Sequence, residues 1–340
     1  MDSVSQAALG AVVGVAVLGK ERPFWQAALA GAVIGTLPDL DVYLDKGDAI
    51  NNMVLHRAET HAFFWQLVAS GPIAYLFSKA TNSGQLLKRW WVMTVLVLFT
   101  HSILDGLTIY GTRLALPFSD APYGSGSLFI IDPLYTLPLL IGLLVAAFMR
   151  SEKRYSWNLG GLAISTAYAV WAVSAQLYVT SLVMASPEAD GIKKEQVLVT
   201  PTPFNTMLWR IVLVDGDSYR EGFYSLLDPM TKPDSTIRYD RYERGLALDL
   251  KTQDFEKANQ IRSFTKGLYS LTQDGDYLRI TDLRMGQHPF FVFSFRFAKY
   301  ASPLQAIEPV RITNRMPLKP GLIWLRDRMF LGDNATGQTN

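Results

Sequence analysis

Long apolar runs alternate with short polar connections before about residue 184. The first two runs, 7–19 and 24–37, fall short of the roughly 20 residues that a helix needs to cross a bilayer. They are therefore either tilted short spans or a re-entrant pair. The remaining runs are 62–77, 90–104, 133–148 and 159–184. This pattern predicts an α-helical multi-pass membrane domain of about six apolar helices.

After about residue 184 charged residues recur every few positions, and shorter runs typical of strands replace the long apolar ones. Asp215, Gly216 and Asp217 separate two such runs and are typical of a hairpin turn. The predicted strands are 196–200, 208–214, 219–226, 277–283 and 290–297, with a short helix over 255–264. The second half is therefore predicted to be a strand-rich α+β soluble domain.

Two domains follow from this change of pattern. A helical membrane domain over residues 1–185 precedes a strand-rich domain over 186–340, whose role the sequence does not assign. Lysine and arginine cluster in alternate connections, namely Lys20, Arg22, Lys79, Lys88, Arg89, Arg150, Lys153 and Arg154. Because such connections stay in the cytoplasm, we expect a multi-pass protein of the cytoplasmic membrane with its C-terminal domain outside.

Composition narrows the chemistry that the chain can perform. Hydrophobic residues make up 49% of the chain and charged ones 18%, with a net charge of +2. No basic stripe is present, so no nucleic-acid partner is expected. The absence of cysteine excludes disulfides, thiolate metal sites and a cysteine nucleophile. The chain has only four histidines, and three of them lie at the ends of apolar runs.

The polar residues at the ends of the apolar runs have the chemistry of metal ligands. His101 and Asp105 are four residues apart and so share one helical face. The other candidates precede or follow apolar runs: Asp39 and Asp41 after the second, His56 and His61 before the third, and Asp132 before the fifth. In a six-span topology, these seven histidines and aspartates all lie at the outer ends of their helices. Imidazole and carboxylate without thiolate suit Zn²⁺, Mn²⁺ or Fe²⁺.

Each pattern also has a purely structural interpretation. Asp39 and Asp41 can cap a helix in an exposed turn. The two histidines before the third run can be polar residues at the membrane interface. His101 and Asp105 can form a neutral hydrogen bond that holds two helices together, although ionisable residues inside apolar segments usually carry function.

Several short motifs occur in the order found in one known family. They are GTLPDLD (residues 35–41), HRAETH (56–61), HSILD (101–105), YGT (110–112), PFS (117–119) and IDP (131–133). On these motifs the first 185 or so residues resemble the membrane-bound metal-dependent hydrolases, also described as LexA-binding, inner-membrane-associated hydrolases. The resemblance implies a metal site and a hydrolytic activity.

The expected function is an integral membrane metal-dependent hydrolase that uses metal-activated water on a lipid-borne or amphiphilic ester or phosphoester. The metal, with Zn²⁺ the first choice and one or two ions present, is assigned to Asp39, Asp41, His56, His61, His101 and Asp105. Asp132 is expected to act as a ligand or base, and Arg57 and Arg113 to hold an anionic leaving group. Membrane lipids are the expected partners. An ion-coupled transporter and a non-catalytic membrane scaffold are the alternatives.

Overall fold

The computed structural model describes residues 1–228 and 237–332. Its chain divides into two compact units. The first unit contains Met1–Leu44, His56–Ser174 and Pro203–Asn205. The second contains Asp45–Leu55, Ala175–Thr202 and the described residues from Thr206 onward.

Helices dominate the first half of the chain. In chain order they are α1 (Ser3–Leu18), α2 (Phe24–Thr36), α3 (Ala49–Val54), α4 (Phe63–Ala80), α5 (Leu87–Gly106), α6 (Pro133–Phe148) and α7 (Lys153–Met184). All except α3 and the C-terminal part of α7 belong to the first unit. Short 3-10 segments at Pro38–Tyr43 and Glu59–His61 lie in the connection between α2 and α4.

Helix α1 lies at the centre of the first unit, where it packs against α2, α5 and α6. Its sequence is apolar on every side, as expected for a helix that is buried all round. Leu9 and Val12 of α1 share a core with Ile34 of α2 and Met93 of α5. This core fixes the positions of α2 and α5, which carry or adjoin the candidate metal ligands.

Glycines allow α1 and α2 to approach to backbone contact. A Cβ atom on Gly31 would lie 2.1 Å from the carbonyl oxygen of Gly10, and one on Gly10 would lie 2.2 Å from the carbonyl oxygen of Gly31. Gly14 and Gly35 continue the same contact by one turn on either side. Any larger side chain at these positions would push the two helices apart.

The prediction of about six membrane-spanning helices is wrong. Helices α1, α2 and α6 have 16, 13 and 16 residues, which is roughly 20–24 Å at 1.5 Å per residue and shorter than the apolar core of a bilayer, about 30 Å. Helix α5 carries Lys88, Arg89, His101 and Asp105. Among the described residues, α7, with 32 residues, is the one helix long and apolar enough to cross a membrane.

The second unit contains two four-stranded antiparallel sheets. The first has the order β1 (Val197–Pro201), β2 (Leu208–Asp215), β3 (Ser218–Ser225), β4 (Tyr239–Glu243). The second has the order β10 (Gln305–Ile312), β9 (Ser294–Lys299), β6 (Tyr277–Asp282), β5 (Tyr269–Asp274). Strands β7 (Gly286–Gln287) and β8 (Phe290–Phe291) form a short ribbon, and the helices are α8 (Leu246–Lys251), α9 (Glu256–Phe264) and α10 (Leu318–Leu331).

Several of these elements were predicted from the alternation of apolar and polar residues in the second half of the chain. Strands β1, β2, β3 and β6 and helix α9 lie where they were expected, and Gly216 lies in the turn between β2 and β3. The predicted strand over 290–297 is divided between β8 and β9. The pattern missed β4, β5, β10 and α10. Strands β4 and β10 have mostly exposed residues, so their sequences lack the apolar alternation on which the prediction depended.

A segment between α2 and α4 belongs to the second unit. Ile50 of α3 is fully buried in a core with Ile261 of α9 and Leu278 of β6. Asp48 caps α3 and pairs with Lys257 of α9 at 2.8 Å. Burial alone would raise the pKa of Asp48, but the hydrogen bond and charge of Lys257 together with the amides of Asn51 and Ile50 lower this pKa. The chain between two site-bearing segments is thus anchored in the strand-rich unit.

The contact between α1 and α2 gives a direct test of the helical packing. Gly31→Ala should destabilise the first unit by about 1–3 kcal/mol, because its Cβ cannot fit against the α1 backbone. Gly160→Ala in α7 is the control, since a Cβ there has no atom within 4 Å. It should be neutral or slightly stabilising through helix propensity. Thermal unfolding in mild detergent measures both, and equal effects would contradict the close approach.

Candidate metal centre

Four candidate ligands from three parts of the first unit meet at one point. Asp39 lies in the 3-10 segment after α2, His61 ends the 3-10 segment before α4, and His101 and Asp105 lie one turn apart on α5. Their ligand atoms all lie within 4.8 Å of one another. His61, His101 and Asp105 are buried, whereas Asp39 is partly exposed and lies at the edge of the group.

Local sequence explains how these side chains reach each other. Pro38 has no amide hydrogen, so the hydrogen-bond ladder of α2 ends there and the chain turns into a 3-10 segment. His61 Nε2 lies 3.3 Å from Asp39 Oδ1 and 3.2 Å from Asp105 Oδ2. The spacing of four residues on α5 brings His101 Nε2 within 3.5 Å of Asp105 Oδ2. The predicted convergence of these four residues is therefore present in the fold.

Hydrogen bonds orient both imidazole rings through their Nδ1 atoms. His101 Nδ1 lies 2.7 Å from the carbonyl oxygen of Gly35, which can only accept, so Nδ1 donates and Nε2 of the neutral ring is a lone pair. Thr60 Oγ1 lies 3.3 Å from Asp41 Oδ2 and 2.8 Å from His61 Nδ1. With the hydroxyl donating to the carboxylate, it accepts from His61 Nδ1, and this tautomer leaves the lone pair of His61 Nε2 for a metal ion.

The resulting donor set fits a divalent cation. The two Nε2 atoms lie 3.1 Å apart, and two lone pairs at this distance repel unless a proton or a metal ion is between them. Two carboxylates lie beside them, and Asp105 Oδ2 is buried and accepts no hydrogen bond from the described residues. Two imidazoles oriented through Nδ1, with two carboxylates, form a set that could hold a metal ion such as Zn²⁺.

Polar contacts around Asp105 hold this carboxylate in place. Arg57 Nε lies 3.2 Å from Asp105 Oδ2, and Arg57 Nη1 donates to Thr108 Oγ1 at 2.8 Å. On the other side, Gln6 Nε2 donates to Asp105 Oδ1 at 3.1 Å, and the Met1 amino group also contacts Oδ1. Positive charge and hydrogen bonding therefore compensate a carboxylate that is fully buried.

Arg57 has an uncommon backbone conformation, with φ at +63°. A non-glycine residue in this region is strained, and the surroundings must hold it there. Its amide donates to Asp41 Oδ2 at 3.1 Å, and its carbonyl accepts from the amide of Arg113 at 3.2 Å. These bonds direct the buried guanidinium of Arg57 toward Asp105, and Arg113 enters the network through its backbone.

Asp41 and His56, which the sequence also proposed as ligands, form a pair outside the four-residue group. Asp41 Oδ1 and His56 Nδ1 are 2.7 Å apart, and the His56 side chain is 28% exposed. Its ring centre is 6.0 Å from that of His61. Burial would raise the pKa of Asp41, but the hydrogen bonds from His56 and from the amide of Arg57, together with the neighbouring imidazoles, lower this pKa.

The pKa of Asp39 is shifted by similar causes. Burial alone would raise it, but hydrogen bonds with His101 and His61 hold it well below its usual range. Asp39 is therefore a carboxylate at neutral pH, as a metal ligand must be.

Asp132 also lies outside the four-residue group. It caps α6 by accepting from the amide of Leu134 at 3.0 Å, and the hydroxyl of Tyr168 donates to it at 2.9 Å. Burial raises the pKa of Asp132. Asp132 therefore caps the start of α6 and connects it to Tyr168 of α7.

Three contributors to the centre were absent from the sequence prediction. Gln6 could have been found, because it is a polar amide directly before the first apolar run. The carbonyl of Gly35 and the amino group of Met1 could not, because every residue has backbone groups and only the fold brings these two to the site. Thr60, which the sequence did not single out as part of a site, orients the ring of His61.

Comparisons with known proteins agree with the membrane character of the sequence. The YdjM inner membrane protein family matches residues 1–179. The uncharacterized protein YfhP of Bacillus subtilis (strain 168) is 22% identical over 253 residues, which are 68% of this chain and 72% of YfhP. The inner membrane protein YbcI of Escherichia coli (strain K12) is 29% identical over 120 residues, which are 34% of this chain and 68% of YbcI. No solved structure matches the chain significantly.

The matched region contains all four residues of the candidate metal centre as well as Arg57, Asp41 and His56. It covers more than half of the chain, and the family is one of inner membrane proteins. The chain therefore belongs to the YdjM inner membrane protein family.

Proposed function

We propose that this protein is an inner-membrane metal-dependent hydrolase that cleaves an ester or a phosphoester. The observation that carries the proposal is the convergence of the Nε2 atoms of His61 and His101 with the carboxylates of Asp39 and Asp105, where three of the four side chains are buried. Such a set is costly to bury unless a cation neutralises it. When bound, a divalent cation supplies Lewis-acid chemistry, because it polarises the scissile group and activates water for attack.

One ion, with Zn²⁺ as the first choice, fits this centre best. Asp39, His61, His101 and Asp105 supply two neutral and two anionic donors. A second ion would need Asp41 and His56, but these two side chains are hydrogen-bonded to each other. We therefore assign the metal to the four-residue group.

The surrounding residues have positioning roles in this proposal. Arg57 and Gln6 fix the carboxylate of Asp105, and Thr60 and the carbonyl of Gly35 fix the two imidazoles. The anion-binding roles of Arg57 and Arg113, and the role of Asp132 as a base, stay predictions from the sequence.

An apolar cavity beside the centre supports a substrate with a hydrocarbon chain. Its volume is about 500 Å³, within the range of ligand pockets. Pro38 and Thr60, which line it, are the chain neighbours of Asp39 and His61. Its other walls are mostly apolar residues of α4 and α5, including Val68, Ala69, Pro72, Ile73 and Leu98. A lipid-borne or amphiphilic ester could place its chain there and its polar group at the metal.

We also propose that the C-terminal domain lies outside the cytoplasm. Arg150, Lys153 and Arg154 lie at or just before the start of α7, and the positive-inside rule places that end of a span in the cytoplasm. Because the six-span topology is wrong, the orientation of the C-terminal domain depends on α7 alone.

Metal content tests the ligand assignment with three matched variants. His101→Ala should lose most of the bound Zn²⁺, whereas His56→Ala and His288→Ala should retain it. In the unchanged protein, Zn²⁺ at 100 times its dissociation constant should add about 2.7 kcal/mol to the free energy of unfolding. Elemental analysis and thermal unfolding of protein purified in mild detergent measure these effects.

Two outcomes would contradict this assignment. Loss of metal in His56→Ala would show that His56 is a ligand, as expected from the sequence. Full retention in His101→Ala, or a protein that cannot be loaded with Zn²⁺, Mn²⁺ or Fe²⁺, would remove the basis for the hydrolase proposal.

The cavity gives a separate test of substrate class. Ala69→Phe should fill part of the cavity, so kcat/KM should fall for an ester with a long acyl chain and stay unchanged for a short, water-soluble ester. Leu67→Phe is the control, because Leu67 is exposed on the same helix and does not line the cavity. Equal effects of Ala69→Phe on both esters would contradict binding of the chain in this cavity.

A topology reporter tests the proposed sidedness. An enzyme that is active only outside the cytoplasm, fused after Asn340, should be active, because Arg150, Lys153 and Arg154 retain the start of α7 inside. Activity of a cytoplasm-specific reporter at the same position would show the opposite orientation.

A further inference from the structure

One face of α10 is bound to the first sheet of the second unit. Trp324 contacts Phe223 of β3 with ring centres 4.8 Å apart. The guanidinium of Arg328 is buried and pairs with Asp228 at 3.1 Å, and the hydroxyl of Ser225 donates to the carbonyl of Met329 at 2.9 Å. These contacts hold α10 in one orientation on the sheet.

The opposite face of α10 is exposed and apolar. At 100° per residue, positions 318, 322, 326, 319, 330 and 323 lie within an arc of roughly 140°. Trp324 and Arg328 lie outside that arc, on the sheet side. Four large apolar side chains of the arc are exposed, with Leu318 at 71%: Leu318, Leu322, Ile323 and Phe330. A helix that is apolar on both faces is normally covered on both.

The charges on this exposed face are positive. Lys319 and Arg326 lie within the arc, and Arg315 lies just before the helix. Arg326 also contacts Asp327 of the same helix at 2.6 Å, but Asp327 lies beside the arc. Apolar side chains between cations are the pattern of a helix that lies in the plane of a membrane surface.

The second unit is also joined directly to the candidate membrane span. Ala175, Val179 and Val183 of α7 share a buried core with Trp209 and Ile211 of β2. The end of α7 is thus part of the same compact unit as α10. Because the end of this candidate span belongs to the second unit, a bilayer that α7 crosses would lie next to the unit.

We propose that the exposed face of α10 docks on the surface of an anionic phospholipid bilayer. The four apolar side chains would enter the interfacial region, and Lys319, Arg326 and Arg315 would contact lipid phosphates. The proposal is independent of the hydrolase activity, because it concerns a different unit and none of the metal-centre residues.

The absence of cysteine makes this docking directly measurable. A single cysteine introduced by Leu322→Cys in the full chain can carry one fluorophore. The protein is reconstituted in vesicles of phosphatidylglycerol and phosphatidylcholine that contain a lipid-borne quencher. The control is Leu250→Cys on α8, since Leu250 is 67% exposed in the same unit. The label at position 322 should be strongly quenched and the label at position 250 should not.

Charge variants test whether docking depends on the anionic lipid. In the labelled chain, Lys319→Gln should weaken docking about fivefold, as expected for one cation at an anionic surface. Replacing phosphatidylglycerol by phosphatidylcholine should also reduce quenching. Circular dichroism should show that the variants remain folded.

Two results would overturn the proposal. Equal quenching at positions 322 and 250, or none at 322, would show that the face does not enter the bilayer. The label at 322 could instead become more shielded from water as the protein concentration rises, to the same extent with neutral and anionic lipid. That result would show that a second copy of the chain covers the face.

Discussion

The candidate metal centre brings two carboxylates and two imidazoles together in an apolar helical unit, three of them buried, and the surrounding structure depends on how their charge is compensated. Buried carboxylates cost several kcal/mol each unless cations or hydrogen bonds offset the loss of water. Arg57, Gln6 and the Met1 amino group contact Asp105, yet the Nε2 atoms of His61 and His101 still lie 3.1 Å apart. A divalent cation between these atoms and the carboxylates would compensate the charge and separate the two nitrogen lone pairs.

Close helix packing makes this arrangement possible. The carbonyl of Gly35, near the end of α2, orients His101 on α5, and this requires the two helices to lie close together. Both helices pack against α1. Glycines of α1 and α2 bring the two backbones into direct contact, with no side chain between them. The position of Asp39 just beyond α2 follows from the same packing. The small residues of α1 and α2 therefore affect the chemistry of the centre, although none of their side chains belongs to it.

Part of this centre could be predicted from the sequence. The spacing of His101 and Asp105 places them on one helical face. Asp39 follows the second apolar run, and the structure places it directly after Pro38, where α2 ends. The pairing of Asp41 with His56 could not be predicted, because it depends on the path of a connection between α2 and α4 whose middle, Asp45–Leu55 with helix α3, packs in the other unit. Membrane spans were overestimated for two reasons. A helix buried in protein, such as α1, has the same apolar composition as a helix in lipid. The apolar runs of α2 and α6 were also counted as spans, although these helices are too short to cross a bilayer.

The coordination of the metal itself tests the central claim most directly. X-ray absorption spectroscopy of the Zn²⁺-loaded protein should show only nitrogen and oxygen ligands, with two imidazoles in the first coordination sphere and one in the His101→Ala variant under saturating Zn²⁺. A spectrum without imidazole, or one that His101→Ala leaves unchanged, would contradict the assignment of the ion to Asp39, His61, His101 and Asp105.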